Sequence, residues 1–355
     1  MIIDCHSHHI SAPYNTNYLL WAEQTGRADY GPPYLWNNPI FEDVEKRIDV
    51  MNLYGIDYSV ITYSANTVQI IDSASDQTRT KSEVVSDLNQ RTHEIVLSHN
   101  TKIGATAWID LRLGVSALEE MESTSDWALG YSVLTGYVIN GQFKMLDAPE
   151  FIPFWQKAAE LGKPIFIHFS SLYSASNLEN AMPGYMNDSM LHAGMGQLME
   201  NTICLSRLVL SGIFDKYPSI KVVMGQLGGM YPFMLERFDM LYSMHLNGAA
   251  AKKICVTDLK NASFFMRNYK NYTDNVYVDT HSMSECAIRC AAEIIGADKI
   301  LFGSDLPITP ASWGVERGIA QIKSSQMSNG IKNKIFSENA MNLLNSKKFS
   351  KYQRQ

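Results

Sequence analysis

Eight short apolar runs, most followed by an amphipathic segment, recur along these 355 residues and restrict the fold more than any other feature. They are Met1 to His9, Asp57 to Ser64, Lys102 to Asp110, Ala128 to Val138, Pro164 to Phe169, Ile220 to Gln226, Asn275 to Thr280 and Lys299 to Asp305. Short apolar runs bounded by Gly and Pro read as strands. Between and after them, the spacing predicts helices over Phe41 to Leu53, Glu83 to Ser98, Ser116 to Ser123, Pro149 to Leu161, Gln197 to Ile213, Tyr231 to Met244, Glu285 to Ile295, Val315 to Lys323 and Lys332 to Leu344. Apolar strands alternating with helices belong to a parallel sheet covered on its faces. The expected class is α/β, a (β/α)₈ barrel; no G-x-G-x-x-G follows any strand, which counts against an open doubly wound sheet.

No linker divides the chain, so residues 1–345 read as one barrel domain. Two stretches, 10–38 and 170–194, are too long for ordinary connections and read as insertions near the site; 346–355 reads as a polar tail. Trp21, Tyr30, Tyr34 and Trp36 in the first insertion could wall a pocket for a flat ligand, or simply pack the insertion onto the barrel. A hydrophobic content of 46% suits a large core, and a net charge of −6 makes no electrostatic case for nucleic acid. No apolar run is long enough to span a bilayer, and no basic region precedes the first strand, so the expectation is a cytoplasmic protein. Five cysteines without a C-x-x-C pair fit reduced thiols.

In such a barrel the side chains at the carboxyl ends of the strands meet in one pocket. Those ends carry His6 and His8, His168, Gln226, Thr280 and His281, and Asp305. Asp4, His6 and His8 share parity, so a regular strand points all three the same way, with Asp4 one step deeper as a supporting residue. Three imidazoles and one carboxylate make a coordination set for zinc or a similar divalent ion. Singly, His168 reads equally as a core histidine and Asp305 as a turn or cap residue. Their shared position at one end of the barrel favours the metal reading.

Five segments then show a resemblance. Ile3-Asp-Cys-His-Ser-His8, Ile165-Phe-Ile-His168, Gln226-Leu-Gly-Gly-Met-Tyr-Pro-Phe233, Phe302-Gly-Ser-Asp-Leu-Pro307 and Glu338-Asn-Ala340 together resemble the amidohydrolase superfamily, in its amidohydrolase-2 branch. That branch includes aminocarboxymuconate semialdehyde and γ-resorcylate decarboxylases. The resemblance implies a homodimer and one catalytic ion held by His6, His8, His168 and Asp305, zinc first and manganese as the alternative. Gly136 to Asn140 offers no bridging lysine, which favours a mononuclear site.

One position departs from the family pattern. Where the family carries histidine after the sixth strand, this chain has Gln226, and an amide cannot take a proton near neutral pH. The implied activity is decarboxylation of a small aromatic or unsaturated carboxylic acid, with Asp305 as proton donor. The alternatives are hydrolysis of a lactone or amide, a hydratase, and, more distantly, an inactive binding scaffold. His281 could replace the missing base, or cap the next helix. Arg237 matches an arginine that reaches the neighbouring subunit's site and binds a substrate carboxylate, or it pairs on the surface with Glu236 or Asp239. His192 could line the substrate mouth with Trp21 and Trp36, or face solvent as loop histidines commonly do.

Overall fold

The computed structural model describes residues 1–25, 37–170, 191–247, 269–345 and 349. Its strands are β1 (Ile3–His8), β2 (Tyr58–Thr62), β3 (Ile103–Ala105), β4 (Ala107–Trp108), β5 (Tyr131–Leu134), β6 (Gly136–Ile139), β7 (Gln142–Met145), β8 (Ile165–His168), β9 (Val222–Met224), β10 (Val276–Asp279) and β11 (Ile300–Leu301). One parallel ladder runs β1-β2-β3 and another β4-β5-β8-β9-β10-β11. β3 and β4 are one stave broken at Thr106, whose amide still donates to Ile61 at 2.9 Å. The other seam closes through the backbone: Cys5 N donates to Phe302 O (2.8 Å), Asp305 N to His6 O (2.7 Å) and His8 N to Leu306 O (2.7 Å). The result is the expected eight-staved barrel.

Apolar residues divide into two layers, as parallel strands covered by helices require. Ile3, Cys5, Val60, Phe166, Val223 and Leu301 fill the barrel interior near the strand starts. A larger cluster, with Val133, Trp108 and Trp155 fully buried, joins the staves to the helices outside. Helix ends obey local chemistry. Asp43 caps Val44–Tyr54 by accepting from Lys46 N, and Gly55 ends it at φ 75°, a conformation that costs glycine little. Thr80 and Glu83 form a reciprocal capping box on Lys81–Ser98.

Several expectations are revised. The first insertion contains a helix, Tyr14–Thr25, whose buried Tyr14, Tyr18 and Ala22 recur every fourth residue; Tyr30, Tyr34 and Trp36 lie outside the described residues. A helix at Thr67–Ala74 was not expected. The fourth strand stops at Leu134, and the apolar residues beyond it form the antiparallel hairpin β6–β7, whose turn is Asn140-Gly141. The eighth strand is only two residues long, and the rest of its run is an irregular segment bound to β1. Phe349, within the stretch read as a polar tail, is buried against Tyr58, ring centroids 5.2 Å apart. Most of 170–194 lies outside the described residues; His192 falls in a wide turn, His192–Gly196, that leads into the helix Gln197–Leu210.

β1 also departs from simple alternation. Its register with β2 runs Asp4↔Ser59 and then Ser7↔Ile61, so Cys5 and His6 together stand opposite Val60. This bulge re-phases the strand, and Cys5 and His6 both line a cavity of about 20 Å³ inside the barrel. Asp4 therefore does not share a face with the two histidines; its carboxylate accepts from Ser304 N (3.0 Å), Ser304 Oγ (2.5 Å) and His6 N (3.2 Å).

Gly303 is required where β11 meets this bulge. A Cβ there would lie 2.8 Å from His6 Cβ and 3.0 Å from Asp279 Cβ. Gly303→Ala is expected to force these two residues apart and destabilise the fold by about 1–3 kcal/mol, read as a lower unfolding midpoint in urea.

Candidate metal centre

β1 presents His6 and His8 at the barrel mouth with their Nε2 atoms 3.2 Å apart. β8 ends in His168, and one ring nitrogen from each of the three histidines lies within 4.8 Å of the others. Asp305, just past β11, puts Oδ1 3.0 Å from His8 Nε2 and 3.6 Å from His6 Nε2. Asp305 sits at φ 60°, left-handed for a non-glycine residue, a backbone strain of the kind found at functional sites. Donors roughly 3.4 Å apart are what bonds of about 2.1 Å to one tetrahedral ion require.

The other ring nitrogens are already engaged. His6 Nδ1 lies 2.7 Å from Asp279 Oδ2, His8 Nδ1 3.1 Å from Thr62 O, and His168 Nδ1 2.8 Å from Phe169 O. These partners only accept, so each Nδ1 carries the hydrogen and Nε2 is left as the candidate ligand. The donor set therefore fits a divalent ion.

Electrostatics keep His8 and His168 neutral, as ligands must be, and put a proton on His6 in the empty cluster. Burial pushes His168 down to about 3, helped by the neighbouring His8 and His6, and also lowers His8. Burial opposes ionisation of Asp305, but His281, His8 and His6 around it hold its pKa well below the usual carboxylate range. Burial likewise opposes charge on His6, yet Asp279, then Asp305 and Asp4, outweigh it and raise its pKa to about 9. Burial pushes Asp4 up to about 6 despite its bonds from Ser304 and His6.

Around this cluster the remaining residues take distinct places. His281 Nε2 is 3.3 Å from Asp305 Oδ2, which also accepts from Thr309 Oγ1 at 2.9 Å. Gln226 is buried beside the cluster, and its amide is engaged by Gln197 and Asn201. Thr280 Oγ1 accepts from Gly303 N (3.3 Å). Trp21 is half-buried, stacked on Tyr18 with centroids 6.1 Å apart and packed against the core. His192 is partly buried, Arg237 is exposed on the helix Tyr231–Asn247, and Trp36 lies outside the described residues.

Sequence reasoning missed Asp279. Its Oδ2 holds His6, and its Oδ1 accepts from Gln226 N and His281 N, both at 3.0 Å. It lies one residue before the Thr280-His281 pair that was selected, so its position as the last residue of β10 was the available signal. Arg47 was missed as well. Fully buried on Val44–Tyr54, it donates through Nη2 to the carbonyl of His8, and it has no carboxylate partner among the described residues. Its only signal was a lone arginine on the apolar face of a helix.

Among the described residues no helix is long and apolar enough to cross a membrane. The chain is similar to the γ-resorcylate decarboxylase of Polaromonas sp. (strain JS666 / ATCC BAA-500), 25% identical over 323 residues that cover 84% of this chain and 86% of that one. It is also similar to the 2-amino-3-carboxymuconate-6-semialdehyde decarboxylase of Dictyostelium discoideum, 22% identical over 266 residues covering 75% and 67%. The solved structure of a dihydroxybenzoic acid decarboxylase from Polaromonas sp. JS666, with bound manganese and the inhibitor 2-nitroresorcinol, superposes with a TM-score of 0.78 at 21% identity, covering 98% of this chain and 99% of that one. That of 5-carboxyvanillate decarboxylase from Sphingomonas paucimobilis gives 0.75 at 20% identity, covering 97% and 98%. These structural likenesses show the barrel fold. The sequence profile of the amidohydrolase family matches residues 3–345, from the first strand to the last helix, and the chain belongs to that family.

Proposed function

We propose that this chain is a metal-dependent carboxy-lyase that removes CO₂ from a small aromatic or unsaturated carboxylic acid. The observation that carries the reading is the donor set: three imidazoles locked through Nδ1, with the Oδ1 of Asp305 against two of their free nitrogens. A divalent ion held by His6, His8, His168 and Asp305 would supply a positive centre that stabilises the negative charge left on the substrate when CO₂ departs. Zinc is our first choice for this donor set, and manganese, bound in the similar decarboxylase structure, is the other.

Decarboxylation leaves a carbanion-like carbon that must gain a proton. Gln226 cannot exchange one, so we assign that transfer to Asp305, which is ionised at rest and must first take a proton from solvent by way of His281, in contact at Oδ2, before passing it to the carbon. Asp305→Asn is expected to lower kcat by about 10²–10⁴-fold. Arg237 stands on an exposed stripe with Phe233 and Met240, three to four residues apart on one helix, and we read it as reaching a second copy in a homodimer. The test is to load the protein with zinc or manganese, incubate it with a panel of hydroxybenzoates and measure CO₂. Release from none of them would overturn the proposal.

Metal loading carries its own pH signature. With His6 raised to about 9, the empty cluster holds a proton that an ion must displace. Apparent affinity is therefore expected to fall about tenfold for each unit that pH drops below 9, which competition with a chromophoric chelator from pH 6 to 9 will measure.

A further inference from the structure

Gln226 is held in a chain of amides whose direction can be read from one fixed end. Asn201 Nδ2 lies 3.4 Å from the Gly225 carbonyl, which can only accept, so the NH₂ of Asn201 faces Gly225. The same NH₂ donates to Gln226 Oε1 at 3.1 Å. The NH₂ of Gln226 is thereby turned away from Asn201, and it donates one hydrogen to Gln197 Oε1 at 3.1 Å. Gln197 and Asn201 stand four apart on one helix, so they meet Gln226 from the same face. Asn201 is 1% exposed, and its Oδ1 has no hydrogen-bond partner among the described residues. Such an arrangement is costly for packing alone, because apolar residues of the same shape would leave no buried carbonyl oxygen unpaired.

The backbone at Gln226 is constrained as firmly as its side chain. Gln226 and Leu227 both have positive φ (56° and 54°), and Gln226 N donates to the carboxylate that holds His6. Gln226 NH₂ has two hydrogens and gives one to Gln197, so one N–H is left, on a residue whose backbone bonds the Asp279 carboxylate that holds His6.

We propose that Asn201 is a positioning residue that orients the Gln226 amide so that this remaining N–H meets an anionic oxygen of the substrate. The inference rests on the carboxylic acid reading above. It makes the residue after β9 a donor whose strength does not vary with pH, and it makes Asn201, which touches no substrate, a determinant of substrate affinity.

The test uses two variants of the metal-loaded full chain. Asn201→Asp places an acceptor where the NH₂ was and inverts the Gln226 amide. Asn201→Leu keeps the volume and removes the anchor. The readouts are binding of 2,6-dihydroxybenzoate by calorimetry, CO₂ release, metal content and unfolding midpoint. The expected result is at least tenfold weaker binding in Asn201→Asp and about fivefold in Asn201→Leu, with metal content unchanged and any kcat change within threefold. Weaker binding in a chain that releases no CO₂ would sustain this inference and sink the lyase reading. Binding within twofold of wild type in both variants would overturn this inference and leave the lyase reading standing, provided CO₂ is released. A wild-type chain that binds no dihydroxybenzoate at all would count against both.

Discussion

His8→Ala is expected to remove stoichiometric metal from the purified protein and to lower kcat/KM by roughly a thousandfold or more, about 4 kcal/mol of transition-state stabilisation. His8 is fully buried, and its Nε2 touches both His6 Nε2 (3.2 Å) and Asp305 Oδ1 (3.0 Å). Removing it leaves three donors and takes away the ring nitrogen that sits against Asp305 Oδ1. The vacated volume also costs stability by itself, as a buried large-to-small change does. His8→Asn, which still offers a donor to Thr62 O, separates the effects: metal loss with an unfolding midpoint near that of wild type assigns the defect to the site. Full metal occupancy and full activity in His8→Asn would refute the coordination set. Plasma-emission metal analysis alongside calorimetry checks both quantities.

Asp279→Asn is expected to weaken metal binding 10- to 100-fold with little change in shape. The amide can keep Oδ1 accepting from Gln226 N and His281 N. It then places an NH₂ group where Oδ2 now accepts from His6 Nδ1. Two donors cannot share that contact, so His6 must move its hydrogen from Nδ1 to Nε2, the atom needed by the ion. The same change removes the largest influence raising the His6 pKa, so the steep loss of affinity below pH 9 should flatten. Chelator competition at several pH values measures affinity and slope together. Unchanged affinity in Asp279→Asn would show that Asp279 does not hold the ligand histidine.

Which features were legible depended on whether the governing contacts were local. The stop at Gly55 could be read directly, because it is decided within a few residues; the starts placed at Phe41 and Glu83 overlooked the caps at Asp43 and Thr80. The helix Tyr14–Thr25 was missed although its buried residues recur every fourth position, because Asn, Thr and Trp between them masked the pattern. The end of the fourth strand was misplaced because the hairpin β6–β7 is as apolar as the stave before it, and periodicity does not distinguish a continued strand from one that turns back.

The site shows the same division. His6, His8, His168 and Asp305 stood out because their residue types are costly to bury without a purpose and their positions at strand ends followed from the alternation. Asp279 did not stand out, since its function exists only through contact with a residue 273 positions away. The bulge in β1 was equally hidden. Strict alternation put Asp4 with the two histidines, whereas pairing with β2 and the backbone bonds from β11 set Asp4 on Ser304 and brought Cys5 and His6 to one side.

By itself, the sequence determined the repeating strand-and-helix architecture, the end of the barrel at which the candidate ligands gather, and the residue types available to hold an ion. Only the tertiary structure decided which nitrogen of each histidine is free, which oxygen of Asp305 faces them and which way the Gln226 amide points. Those choices depend on hydrogen bonds between staves far apart in the chain, and such bonds come into existence only when the barrel closes.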